Sequence, residues 1–119
     1  MNIILENDIT EDIREKYMLV ELDTFQDPKA NVTKSYAIIT KDEVLLQDFH
    51  NMEQYVDLHN NLMKNYRIQN WKFCDDALEH LVGKFRGELD SFYKVMQERI
   101  DQLRDMDLPE GWTPNVMTQ

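Results

Sequence analysis

Apolar and polar residues change their period once along this chain, near residue 50. Before that point they alternate. Tyr17 to Phe25 (YMLVELDTF) sets Met18, Val20, Leu22 and Thr24 on one side and Tyr17, Leu19, Glu21, Asp23 and Phe25 on the other. That is the pattern of a strand buried on one face, and the first side, being more apolar, is expected to face the core. Val32 to Thr40 (VTKSYAIIT) repeats the alternation, with Tyr36 and Ile38 opposite Ala37 and Ile39. The segment between them carries Pro28, which cannot donate to a ladder, so the two runs are predicted to form an antiparallel hairpin with a longish connection. Asn2 to Leu5 is a short β-prone run. Asp8 or Thr10 can cap a brief helical turn that ends at Lys16. Two strands alone are marginal in water, so a third strand or a helical cover is required. Val44-Leu45-Leu46 is read as that strand, with a helical turn starting at Asp42 as the alternative.

From Met52 the period lengthens to 3.6. Met52, Tyr55, Val56, His59, Leu62, Met63 and Tyr66 make one helical stripe, widened by Leu58, with Asn51 as a candidate cap. Arg67 to Asn70 breaks the phase, and Asn70 is placed to cap a second helix that buries Trp71, Cys74, Leu78, Leu81 and Val82, with Ala77 beside them. Gly83 is expected to end it in the left-handed conformation. A third helix is predicted from about Gly87 or Glu88 to Asp105, with Leu89, Phe92, Tyr93, Met96, Ile100 and Leu103 inward. Asp90–Lys94 and Lys94–Glu98 are expected as i,i+4 ion pairs on its outer flank. The last stretch, DLPEGWTPNVMTQ, reads as an extended tail with Trp112 as its only anchor. The predicted architecture is a single α+β domain over residues 1–119. A small antiparallel sheet of two or three strands (residues 1–50) packs against three C-terminal helices (51–105), and a tail (106–119) follows.

Composition narrows the function classes. A chain of 119 residues is long enough for one core, and its 42% hydrophobic and 30% charged residues are those of a globular protein. The net charge of −10 is spread over both halves and opposes direct binding to nucleic acid or to an anionic membrane surface. It keeps a small protein soluble. The alternative use of such a surface is imitation of DNA, as in small phage inhibitors, with Glu11, Asp12, Glu21 and Asp23 in phosphate-like rows. One cysteine, Cys74, precludes an internal disulfide and suits a reducing compartment. No apolar run reaches the ~18 residues of a membrane span, and MNIILENDITED lacks the features of a signal peptide. A cytoplasmic location is expected.

Catalytic chemistry is thin in this sequence. Asp76 and His80 share a helix face at i,i+4 with Glu79 adjacent, but two ligands do not make a zinc site. His59 lies within the apolar stripe and is read as a hydrogen-bonded residue at the core edge. Cys74, between Trp71 and Leu78, reads as an inert small hydrophobe and not a nucleophile. Gly83, Gly87 and Gly111 are not spaced as a phosphate loop. Neither a cofactor nor a metal is expected, and the residues point away from an enzyme. A metal site built on His59, His80 and Asp76 is the remote alternative. The one locally basic zone interleaves Lys64, Arg67, Lys72, Lys84 and Arg86 with aromatics; of these, Arg67, Lys72 and Arg86 are the candidate partner-binding residues.

Tyr66, Trp71, Cys74, Leu78 and Leu81-Val82 follow the spacing by which one tetratricopeptide helix passes to the next, and the segment resembles half of that repeat. There is no second copy, Leu62 stands where the repeat has a small residue, and Arg86 stands where it has proline. The pattern Tyr66-Arg67-x-x-Asn70-Trp71, a helix ending in Glu98-Arg99-Ile100, then Pro109 and Trp112, is similar to the helical tail behind the catalytic domain of class III adenylate cyclases. The chain as a whole also resembles small phage and marine bacterial proteins. These likenesses imply a helical interaction surface and transfer no catalysis. The expected function is a non-enzymatic protein-interaction or accessory module.

Overall fold

A computed structural model describes residues 1–40 and 46–118. It is α+β, with four strands and four α-helices. The strands are β1 (Asn2–Leu5), β2 (Tyr17–Gln26), β3 (Val32–Thr40) and β4 (Val116–Met117). The helices are α1 (Glu11–Lys16), α2 (Leu46–Arg67), α3 (Trp71–Leu81) and α4 (Asp90–Leu103). Contacts divide the chain into two compact units. One holds Met1–Glu53 and Asn115–Gln119, the other Gln54–Pro114.

The first unit is a mixed sheet in the order β1-β3-β2-β4. β2 and β3 form the expected antiparallel hairpin, with Met18 opposite Ile39 and Val20 opposite Ala37. These four side chains and Leu22 are buried, as the alternation requires. The connection is organised by Asp27, whose carboxylate accepts from the backbone N–H groups of Lys29 (2.9 Å) and Asn31 (2.8 Å). Between Glu21 and Thr24 the register slips by one, so Leu22 and Asp23 share the place opposite Ser35. The Ser35 hydroxyl donates to the Asp23 carbonyl at 2.8 Å and satisfies an acceptor that the bulge withdraws from the ladder. Thr10 caps α1, its Oγ1 accepting from Ile13 N–H at 3.3 Å.

The sheet is larger than two or three strands because both ends of the described chain join it. β1 pairs antiparallel with β3, and β4 runs parallel to β2 through Phe25–Val116 and Gln26–Met117. Val44 and Leu45, read as part of a third strand, lie outside the described residues, whereas Leu46 belongs to α2. The third helix of the sequence reading is α4. The fourth helix, α1, is the short turn expected to end at Lys16, with Thr10 as its cap.

The second unit has its own core. Leu62, Cys74, Leu81, Leu89, Met96 and Ile100 are fully buried, with Phe85 and Tyr93 almost so. The α2, α3 and α4 stripes therefore fall largely where the 3.6 period places them. Three expectations are corrected. Val82 is 54% exposed, because it is the residue at which α3 stops and its backbone has left the helix. Trp71 is only half-buried. Asn70 precedes α3 but does not cap it with its side chain; its Nδ2 donates to Asn65 Oδ1 at 3.0 Å across the turn.

Candidate functional site

A groove of about 680 Å³ lies between α3 and α4 in the second unit. Its geometry starts at Gly83. With φ +85° this residue ends α3, and its N–H donates to Asp90 Oδ1 at 2.8 Å, tying the end of α3 to the start of α4. The intervening Phe85, Arg86 and Gly87 form one tight turn, all three at positive φ. Phe85 makes the turn hold, since its ring is buried edge-on to Tyr55 at 6.2 Å. Lys84 sits over the same tyrosine, its Nζ 5.4 Å from the ring centroid. At the other end of the pair Asp75, near the start of α3, meets Gln97 and Arg104 near the end of α4. The two helices are therefore antiparallel.

Asp75, Leu78, Glu79 and Val82 form the α3 wall. Asp90, Tyr93, Lys94, Gln97, Glu98 and Asp101 form the α4 side, with Arg104 at one end. The lining thus contains five carboxylates against two cations. Arg104 bridges the helices, its Nη2 at 2.6 Å from Asp75 Oδ1 and 3.3 Å from Asp101 Oδ1. Gln97 Nε2 donates to the same two oxygens, at 3.0 and 3.1 Å. The Arg104 hydrogen bond holds the Asp75 carboxyl below its ordinary range, and Asp75 in turn raises the guanidinium. Glu79 and Glu98 have no such partners among the described residues. The expected Asp90–Lys94 and Lys94–Glu98 pairs do not form: Asp90 is drawn to Gly83, and Lys94 makes no ion pair among the described residues. The flank read as merely solvated is one wall of the groove.

Behind the groove lies a buried polar pair. His59 is fully buried, and its Nδ1 shares a 2.8 Å hydrogen bond with Tyr93 Oη. The histidine expected at the core edge is thus in the core interior, with its ring 5.6 Å from that of Tyr93. Burial, with Asp90 adding to it, pushes the Tyr93 hydroxyl well above its ordinary range. Burial likewise pushes the Cys74 thiol up to about 11, with Asp75 contributing. The Cys74 Sγ points at the Leu62 carbonyl, 3.9 Å away. This environment disfavours the thiolate, as expected for a packing residue.

The sequence-predicted site residues are on three separate elements. Arg67 is the last residue of α2, Lys72 is exposed in the first turn of α3, and Arg86 is exposed in the left-handed turn. None of them lines the groove. Arg67 and Lys72 flank in sequence a cluster in which Tyr66, Trp71 and Trp112 meet at centroid distances of 6.0 to 6.2 Å. Trp112 is presented there by a turn in which its N–H donates to the Pro109 carbonyl, with Gly111 at φ +82°. The tail has a second anchor that sequence reasoning missed: Thr118 N–H donates to the Gln26 carbonyl at 2.8 Å beside β4.

Other candidate chemistry is dispersed. His80 and Asp76 are exposed, whereas His59 is buried against Tyr93. Among the described residues no group of three His, Cys, Asp or Glu side chains is placed to hold a metal ion. Of the carboxylates named for DNA imitation, Glu11 and Asp12 occupy the first turn of α1, and Glu21 is paired with Lys34 at 3.2 Å. No described helix is long and apolar enough to cross a membrane. No family model, curated protein or solved structure matches this chain.

Proposed function

We propose that this chain is a non-enzymatic protein-interaction module and that the α3–α4 groove is its docking surface. The observation that carries this reading is the groove itself: an acidic cleft with apolar side chains, in which Glu79 and Glu98 make no ion pair among the described residues. Clefts with a few convergent polar groups are the default location of a binding site. The helical hairpin reading supports it, because repeat-like helix pairs present side chains from adjacent helices to a partner. Arg67 and Lys72 are proposed as a separate contact region beside the aromatic cluster, and Arg86, in the turn beyond the far end of α3, as a further contact.

The test is affinity capture from the native host with the intact chain and two variants. Capture should be lost with Glu79→Lys/Glu98→Lys, which reverses charge without touching the core, and weakened with Arg67→Glu. A partner captured equally well by the groove variant would remove the groove from this reading. A well-folded preparation that retains no partner at micromolar concentration would remove the interaction role itself.

A further inference from the structure

Resting on the reading of the groove as a partner site, we propose that its occupant is a cationic amphipathic helix, carrying arginine or lysine one turn apart beside an apolar stripe. Three observations on the groove converge on that chemistry. The first is its shape. Two antiparallel helices leave a channel between them that a third helix can fill by ridge-and-groove packing, and helix-in-groove recognition is a common use of such channels. Leu78 and Tyr93 are buried at its base, and Val82, 54% exposed, gives one end an apolar contact.

The second is an internal precedent. Arg104 already lies between carboxylates of both helices, at 2.6 Å from Asp75 and 3.3 Å from Asp101. A guanidinium is therefore what this end of the groove accommodates, and its fork of donors suits two carboxylates at once. The third is periodicity. Glu79 stands one turn beyond Asp75 on α3, and Glu98 stands one turn before Asp101 on α4. Successive turns are about 5.4 Å apart, so the free carboxylates repeat the occupied pair at helical spacing. A partner helix with cations at i and i+3 or i+4 meets that spacing. Charge complementarity then favours it over a neutral or acidic helix, since the lining holds five carboxylates and only Lys94 and Arg104.

This arrangement makes Arg104 a competitor of the incoming cations. Removing it leaves Asp75 and Asp101 bonded to the neutral Gln97 amide with their charge uncompensated by Arg104, and should tighten binding, the opposite of what loss of an ordinary contact residue does.

The experiment titrates a Lys/Leu amphipathic peptide of about 14 residues, long enough to form a helix on binding, into the isotopically labelled full chain. Expected are amide shifts centred on Glu79, Val82, Gln97 and Glu98, and an affinity that falls as salt rises. Glu79→Lys/Glu98→Lys should weaken binding about tenfold or more, a difference of ~1.4 kcal/mol. Arg104→Gln should tighten it several-fold. That pair is one-third exposed and contributes little to stability, so the variant should fold, as a thermal melt checks. The proposal is overturned if a peptide of equal charge without an apolar face binds as well, if the shifts fall outside the groove, or if Arg104→Gln binds no more tightly. Should the host partner depend on the groove while this peptide neither binds nor competes, the cationic-helix inference falls and the interaction role stands. Should neither engage the groove, both fall.

Discussion

Cys74 and Tyr93 show how residue identity and burial combine here. Each is an acid whose charged form is penalised by burial, so each titrates higher in the folded chain than in the unfolded one. For such a group the unfolded chain loses its proton first as pH rises, and stability falls. Stability from Cys74 is thus fully present below pH ~9 and is lost towards about 11. Denaturant titrations across that range should show an alkaline decline that is shallower in Cys74→Ala. The native thiol should resist a disulfide reagent at pH 8 and react once the chain is unfolded. Tyr93→Phe tests the neighbouring pair: it removes the hydroxyl that bonds His59 Nδ1 and should cost about 0.5–1.5 kcal/mol in chemical denaturation. The periodicity placed His59 inside the apolar stripe, but its partner, 34 positions away, has no local signature.

At the scale of single elements, β2 is the clearest case of a sequence pattern becoming structure. Its four inward residues were legible because a strand repeats every two residues and burial follows that repeat. Its bulge was not legible, since the alternation passes through Leu22 and Asp23 uninterrupted and only β3 reveals the slip. Ser35→Ala removes the side-chain bond to the Asp23 carbonyl there, and should lower stability by about 1 kcal/mol in a urea titration. The α3–α4 turn is a similar lesson. Gly83 announced the end of α3, but Phe85, which belongs to none of the predicted apolar stripes, is a core residue packed against Tyr55. An aromatic between two glycines is the available signal, although Lys84 and Arg86 on either side of it give the segment a polar look. Asp90 likewise had an attractive local partner by spacing, Lys94, and the backbone N–H of Gly83 satisfied it instead.

For the molecule as a whole, charge is the property that composition determines most directly. A net charge of −10 and an isoelectric point near 4.6 mean that the solubility minimum should fall close to that pH, as light scattering against pH would show. Near neutrality the same charge should prevent retention on a DNA column at physiological salt, and retention there would contradict the electrostatic argument. The cationic-helix proposal uses this charge in one place. It draws on a groove where carboxylates from two helices are held together, and not on acidity in general.

The sequence by itself determined the α+β class, the hairpin of β2 and β3, the inward stripes of α2, α3 and α4, and the overall charge. All of these follow from periods of two or 3.6 residues, or from simple summation, and need no knowledge of distant neighbours. Only the tertiary structure decided that residues 116 and 117 run parallel to β2, that His59 meets Tyr93, and that Asp75, Gln97, Asp101 and Arg104 converge. The physical reason is separation along the chain. The deciding contacts join distant elements, as Asp75 to Gln97 and Arg104 spans 22 and 29 positions, and several mutually compatible pairings exist for every such side chain. Which one forms depends on where the helix and strand ends arrive, and a local pattern does not carry that information.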